Sequence, residues 1–132
     1  MLKLKVHHTG YLVKNHSQAL EAFIALGYQI KQDTVRDELR KIDITFVEKD
    51  NSVLEVISPC SDDSTVSKLL PRIKNSPYHI CYVSDDIEKD SETLRDMGYL
   101  PFTEPQPAIA CDNRRVCFFI HPSIGMLELL EN

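Results

Sequence analysis

One stretch of this chain is written twice, 71 residues apart. His8-Thr9-Gly10-Tyr11-Leu12-Val13 aligns with His79-Ile80-Cys81-Tyr82-Val83-Ser84, and Gly27-Tyr28 aligns with Gly98-Tyr99 at the same spacing. The register holds without a gap from each histidine, through a helix-like segment, to the Gly-Tyr that closes it. A repeat of this kind means one supersecondary module used twice, each copy needing a neighbour to bury its apolar face.

The elements of the two copies agree. In the first, residues 5–13 read as a strand rich in β-branched and aromatic side chains. Ser17 is placed as the N-cap of a helix over 18–26, in which Leu20, Phe23, Ile24 and Leu26 form an apolar stripe, and Gly27 supplies the stop. Residues 28–35, 40–48 and 52–58 read as three more strands, giving β-α-β-β-β. The second copy repeats that order with a strand at 77–84, a helix at 86–97 and strands at 99–103, 114–121 and 125–131. Residues 63–70 read as a short linker helix bracketed by Pro59 and Pro71. Residues 104–107, with two prolines, read as a rigid loop that cannot join a central strand. The expected organisation is one α+β domain over 1–132, with modules at about 5–59 and 77–132 and a linker at 60–76.

Composition narrows the function. The 132 residues carry a formal net charge of −5, with no basic stripe for a nucleic-acid backbone, so nucleic acid is excluded as a partner. No apolar run approaches the roughly 20 residues of a membrane span, and the N-terminus lacks a secretory pattern, so the chain reads as cytoplasmic. Cys60, Cys81, Cys111 and Cys117 form no CxxC pair and read as reduced structural thiols.

Each copy places a histidine on its first strand and a glutamate on its last: His8 with Glu55, 47 positions apart, and His79 with Glu128, 49 apart. Period-2 alternation puts His8 on one face with Gly10 and Leu12. Glu55 interrupts Val53-Leu-Glu-Val-Ile57, and Glu128 interrupts Met126-Leu-Glu-Leu-Leu130. An ionised carboxylate in an apolar strand costs several kcal/mol unless a cation or a wet cavity receives it. Two such carboxylates at equivalent places point to one divalent metal ion held by His8, Glu55, His79 and Glu128. Imidazole and carboxylate donors suit Ni, Zn, Co, Mn or Fe(II), and no thiolate is expected to compete. Two histidines and two glutamates leave positions open for water or a substrate oxygen. His7, His16 and His121 have no repeat partner suited to a ligand role.

At these residues the sequence resembles the vicinal oxygen chelate superfamily, which includes the glyoxalase I and methylmalonyl-CoA epimerase types. The resemblance runs from Val6-His-His-Thr-Gly10 through Leu54-Glu-Val-Ile-Ser-Pro59 and Tyr78-His-Ile-Cys-Tyr-Val-Ser-Asp-Asp86 to Met126-Leu-Glu-Leu-Leu130. It implies paired βαβββ modules forming a cupped mixed sheet around the metal site, and a homodimer. The linker Asp63-Ser-Thr-Val-Ser-Lys-Leu-Leu70 resembles the epimerases. Val35-Arg-Asp-Glu-Leu-Arg-Lys41 and Asp112-Asn-Arg-Arg-Val116 resemble small glyoxalase I-type proteins.

The expected activity is that of a metal-dependent lyase or isomerase that moves a proton at a carbon next to a carbonyl. In the glyoxalase I-type reading a hemithioacetal becomes a 2-hydroxyacyl thioester through a metal-stabilised enediolate, with Glu128 as base. In the epimerase-like reading an acyl-CoA thioester is the substrate and a second base is needed, for which Asp43 is the candidate. Arg40, Arg114 and Arg115 are candidates for the anionic parts of such substrates. Two further readings are an extradiol dioxygenase and a non-catalytic ligand-binding protein of the same fold.

Overall fold

The computed structural model describes residues 2–132, and among them nine strands and three α-helices form a mixed α+β fold. The chain divides into two compact units. One is His8–Tyr78; the other joins the N-terminal residues through His7 to His79–Asn132.

In the first unit, most of strand β1 (Lys5–Leu12) leads to helix α1 (His16–Ala25), followed by β2 (Gln29–Asp37), β3 (Ile42–Lys49) and β4 (Ser52–Pro59). Their order is β2-β3-β4-β1, with β1 parallel to β4 and the other pairs antiparallel. Helix α1 covers one face of this sheet. Val13, Val47 and Val56 are buried there, with Tyr11, Leu20, Phe23, Tyr28 and Leu54 packed around them. The cap differs from the sequence expectation: Asn15, not Ser17, caps α1, because its side-chain oxygen takes the Gln18 N–H at 3.0 Å.

The second unit holds most of β5 (Ser76–Ser84), helix α3 (Ile87–Asp96), β6 (Leu100–Pro101), β7 (Gln106–Ala108), β8 (Arg114–His121) and β9 (Gly125–Glu131). Here β5 is parallel to β9, β9 is antiparallel to β8, and both β6 and β7 pair with β8. Helix α3 buries Ile87 and Leu94 against Cys117, Phe119, Leu127 and Leu129. Leu2 and Leu4 pack onto this same cluster, which explains why the first residues of the chain belong with its last strands.

Both helices end the same way. Gly27 (φ +102°) and Gly98 (φ +93°) occupy the left-handed region that a side chain resists. The Gly27 N–H bonds to the Ile24 carbonyl and the Tyr28 N–H to the Phe23 carbonyl; Gly98 and Tyr99 do the same to Arg95 and Leu94. These are paired Schellman closures, sealed by Tyr28 against Phe23 at 5.3 Å and by Tyr99 beside Leu94.

Three local expectations are corrected. Residues 63–69 form successive turns closed by i→i+3 bonds, such as Ser67 N–H to Ser64 O. The helix, α2 (Leu70–Ile73), begins only where Pro71 can occupy a first-turn position. The strand expected over 99–103 is reduced to β6. Pro101 has no N–H, and Phe102 and Thr103 both direct theirs to the Phe118 carbonyl. Part of the expected loop pairs as β7, an outer strand in which Pro107 opposes Arg115.

Candidate metal-binding pairs

The four histidine and glutamate side chains occur as two matching pairs, each built inside one unit. In β1 the alternation buries His8, Gly10 and Leu12. The parallel register sets Gly10 beside Glu55, two residues on from His8. His8 Nε2 then lies 3.2 Å from Glu55 Oε1, with both side chains buried. In the other unit Cys81 takes the place of Gly10 beside Glu128, and His79 Nε2 lies 3.1 Å from Glu128 Oε1. Each glutamate also faces a phenylalanine across its hairpin, Phe46 opposite Glu55 and Phe118 opposite Glu128. Each phenylalanine meets the neighbouring histidine edge-on, with ring centres 5.3 Å apart in both cases.

The donor set fits a divalent ion. Two donors about 2.1 Å from a common ion stand roughly 3.0 Å apart at a right angle and roughly 3.4 Å apart at the tetrahedral angle. The separations of 3.1 and 3.2 Å fall between these limits. Burial of an anion with an imidazole in an apolar wall is costly unless further charge compensates it, and a cation shared by nitrogen and oxygen donors supplies that compensation.

The remaining sequence candidates are placed elsewhere. Asp43 stands two residues from Thr45 and four from Val47, on the α1 side of β3, whereas Phe46 and Glu55 share the other side. There the Arg36 guanidinium grips its carboxylate at 2.8 and 3.0 Å. That grip holds Asp43 below the usual carboxylate range. Asp43 therefore does not join Glu55. Arg115 lies on the α3 side of β8 with its guanidinium on Glu131 and Glu88. Arg40 bonds the buried carboxylate of Asp37 at 2.8 Å, and Arg114 donates to the Cys111 carbonyl at 3.1 Å. Only Arg114 shares strand parity with Phe118 and Glu128.

Several residues of these neighbourhoods escaped sequence reasoning. Phe46 and Phe118 precede Glu55 and Glu128 by nine and ten residues, a spacing the repeat could have revealed. Cys81 shares strand parity with His79, but its sulfur lies outside the histidine–glutamate donor set. His16 bridges β3 and β4 behind the sheet, its Nδ1 2.7 Å from Ser58 Oγ and its Nε2 2.7 Å from Thr45 Oγ1. Burial lowers its pKa from the usual 6.5, against an opposing pull from Asp43. All four cysteines are free thiols, as the sequence suggested. No helix among the described residues is long and apolar enough to cross a membrane.

Residues 7–118 match the family model described as the Glyoxalase/Bleomycin resistance protein/Dioxygenase superfamily. The chain belongs to that superfamily. No curated protein matches the sequence. Solved structures with the superfamily fold superimpose over almost the whole chain. A hypothetical protein from Bacillus halodurans C-125 has a TM-score of 0.86 at 21% identity, covering 99% of this chain and 96% of its own. A variant of Streptomyces coelicolor methylmalonyl-CoA epimerase, in complex with 2-nitronate-propionyl-CoA, has a TM-score of 0.84 at 22% identity, covering 98% and 96%. The methylmalonyl-CoA epimerase of Mycobacterium tuberculosis has a TM-score of 0.81 at 20% identity, covering 99% and 92%. At these identities the likeness establishes the fold.

Proposed function

We propose that His8, Glu55, His79 and Glu128 together hold one divalent metal ion, and that the protein is a metal-dependent enzyme transferring a proton at a carbon adjacent to a carbonyl in a thioester or hemithioacetal substrate. The observation that carries this reading is the duplication of the pair: each unit supplies one imidazole nitrogen and one carboxylate oxygen, 3.2 and 3.1 Å apart, from equivalent strand positions.

The ion, when bound, supplies positive charge to an oxygen next to the reacting carbon. The chain's own groups do the rest. His8 and His79 act through Nε2, the nitrogen each turns to its glutamate, and the edges of Phe46 and Phe118 flank the rings. Glu128 is the group assigned to take the proton and return it; it is as enclosed as Glu55, at 4% and 5% exposure.

An acyl-CoA substrate is favoured by the solved neighbours, several of which are methylmalonyl-CoA epimerases bound to CoA thioesters. The hemithioacetal reading is favoured by a different observation: Asp43, the expected second base, is held by Arg36 on the α1 side, away from the glutamates, and a proton shift between adjacent carbons needs only one base. The deciding experiment measures bound metal alongside hemithioacetal isomerisation and proton exchange on methylmalonyl-CoA. One metal per chain with either activity, lost in Glu128→Gln, supports the proposal; full activity in a metal-free preparation overturns it.

A further inference from the structure

Just beyond the histidine–glutamate pairs the two modules stop matching. The strand registers fix the comparison. Phe46 faces Glu55 as Phe118 faces Glu128, and two positions further on Glu48 faces Val53 as Ile120 faces Met126. The outer neighbour of Glu48 is Gln29, and that of Ile120 is Leu100. The first unit thus has a polar margin at this place, where Lys31 meets Glu48 at 3.4 Å. The second has Leu100, Ile120 and Met126 instead. Continuing the β6–β8 register sets Phe102 opposite Phe118. The Phe102 N–H donates to the Phe118 carbonyl at 2.8 Å, and the Phe118 N–H donates to Thr103 Oγ1 at 3.0 Å. Strand alternation puts all five apolar side chains on the face of Glu128, opposite Cys117, Phe119, Leu127 and Leu129, which pack beneath α3.

Leu100 is 64% exposed and Phe102 59%, while Phe118, Ile120 and Met126 are half-buried. Apolar side chains gathered in one exposed patch mark a binding surface, unlike single ones scattered over the molecule. This patch is continuous with the site, because Phe118 is at once its innermost member and the ring that meets His79 edge-on. An apolar wall running out from a few buried polar groups is the usual make-up of a small-molecule site.

We propose that this wall is a specificity-determining subsite for the carbon chain of the substrate, so that the protein prefers acyl or 2-oxoacyl groups carrying an alkyl or aryl chain longer than methyl. The inference rests on the proposed metal centre and names the substrate class of that same site. A carbonyl placed beside Glu128 would send its carbon chain past Phe118 and out over Ile120, Met126, Phe102 and Leu100. The step from Phe118 to Ile120 covers about 7 Å, room for a chain of about six carbons. The margin of Gln29, Lys31 and Glu48 in the other unit has no apolar surface to offer in return, so the preference comes from one module alone.

The test uses the full zinc-loaded chain and straight-chain hydroxamates of two to eight carbons, which chelate the ion and differ only in tail length. Wild-type affinity is expected to rise about two- to threefold per methylene up to about six carbons and then to level off. Leu100→Ser and Phe102→Ser, both at exposed positions, should flatten that rise. Met97→Ser, an exposed apolar residue at the C-cap of α3, should keep it. In wild-type protein labelled at its methyl groups, the six-carbon hydroxamate should shift the resonances of Leu100, Ile120 and Met126, a result that depends on no variant. A two-carbon hydroxamate that binds with no gain on lengthening, or a gain that both serine variants retain, overturns the subsite and leaves the metal centre standing. No binding at any length overturns both.

Discussion

Phe118 stands directly across the β8–β9 hairpin from Glu128 and meets the ring of His79 edge-on at 5.3 Å. Phe46 repeats the arrangement with Glu55 and His8. Each ring walls one side of a carboxylate–imidazole pair and fixes the histidine's tilt. Such aromatic contacts contribute about 0.5–1.5 kcal/mol beyond the area they bury.

Phe46→Leu is therefore expected to destabilise the metal-free protein by about 1 kcal/mol, and Phe46→Ala, at a site 4% exposed, by about 3–5 kcal/mol. Phe118 is only half-buried, so Phe118→Ala should cost less than Phe46→Ala. Urea unfolding in the presence of a chelator measures all three. Equal losses at the two alanine sites would mean that the rings do not differ in packing as their burial indicates.

His16 sets an acid limit on stability. Burial lowers its pKa below 6.5, while Asp43 pulls the other way. As the pH falls through 6.5 the unfolded chain takes up the proton first, so it binds more protons than the folded one. Stability is accordingly full above 6.5 and declines as the pH drops toward the lower folded value. Asp43 adds a second loss at more acidic pH: its folded pKa lies below 3.8 because Arg36 holds it, and that contribution disappears as the carboxylate protonates. Melting temperature against pH should show two successive declines. His16→Gln should remove the first and Asp43→Asn the second; a profile unchanged by His16→Gln would contradict the assignment.

Much of the fold is legible in the sequence. The gapless 71-residue register placed both helices and both Gly-Tyr closures, because a Schellman turn needs a residue free to adopt positive φ at one fixed place. It also singled out His8, Glu55, His79 and Glu128, since charged groups in apolar strands stand out against β patterning. What remained hidden depended on contacts distant in sequence. Asp43 looked like a second base because nothing local shows that Arg36, on the adjoining strand, takes both its oxygens. Arg115 looked available until the fold brought Glu88 and Glu131 to it. Ser17 and Asn15 are both competent cap residues, and it is Asn15 whose side chain accepts the Gln18 N–H.

The thiols should divide by burial. Cys81, Cys111 and Cys117 are buried, while Cys60 is half-buried near the linker. Burial also pushes the Cys117 thiol up, away from the reactive thiolate, against a weaker opposing bond from Ser91. A disulfide-exchange reagent is expected to modify one thiol per chain in the native protein and four after denaturation. Cys60→Ser should abolish the native reaction. Rapid modification of more than one thiol under native conditions would show that the strands open more readily than their packing implies.

Removing the metal should cost stability that grows with the logarithm of its affinity, because an ion bound only by the folded chain adds RT ln(1 + [L]/Kd). At a hundredfold excess over Kd that is about 2.7 kcal/mol, which for a chain of this size raises the melting temperature by roughly 10 °C. Glu128→Gln keeps the side chain's volume and removes one anionic donor. It should leave the protein folded in chelator and reduce the metal-induced rise to less than about a third, while Asp43→Asn, on the α1 side of β3, should leave that rise intact. Calorimetric scans with and without added metal compare the three proteins. An equal rise in wild type and Glu128→Gln would show that the ion stabilises the fold from some other place, and Glu128 would lose its role as a ligand even if it remained a base.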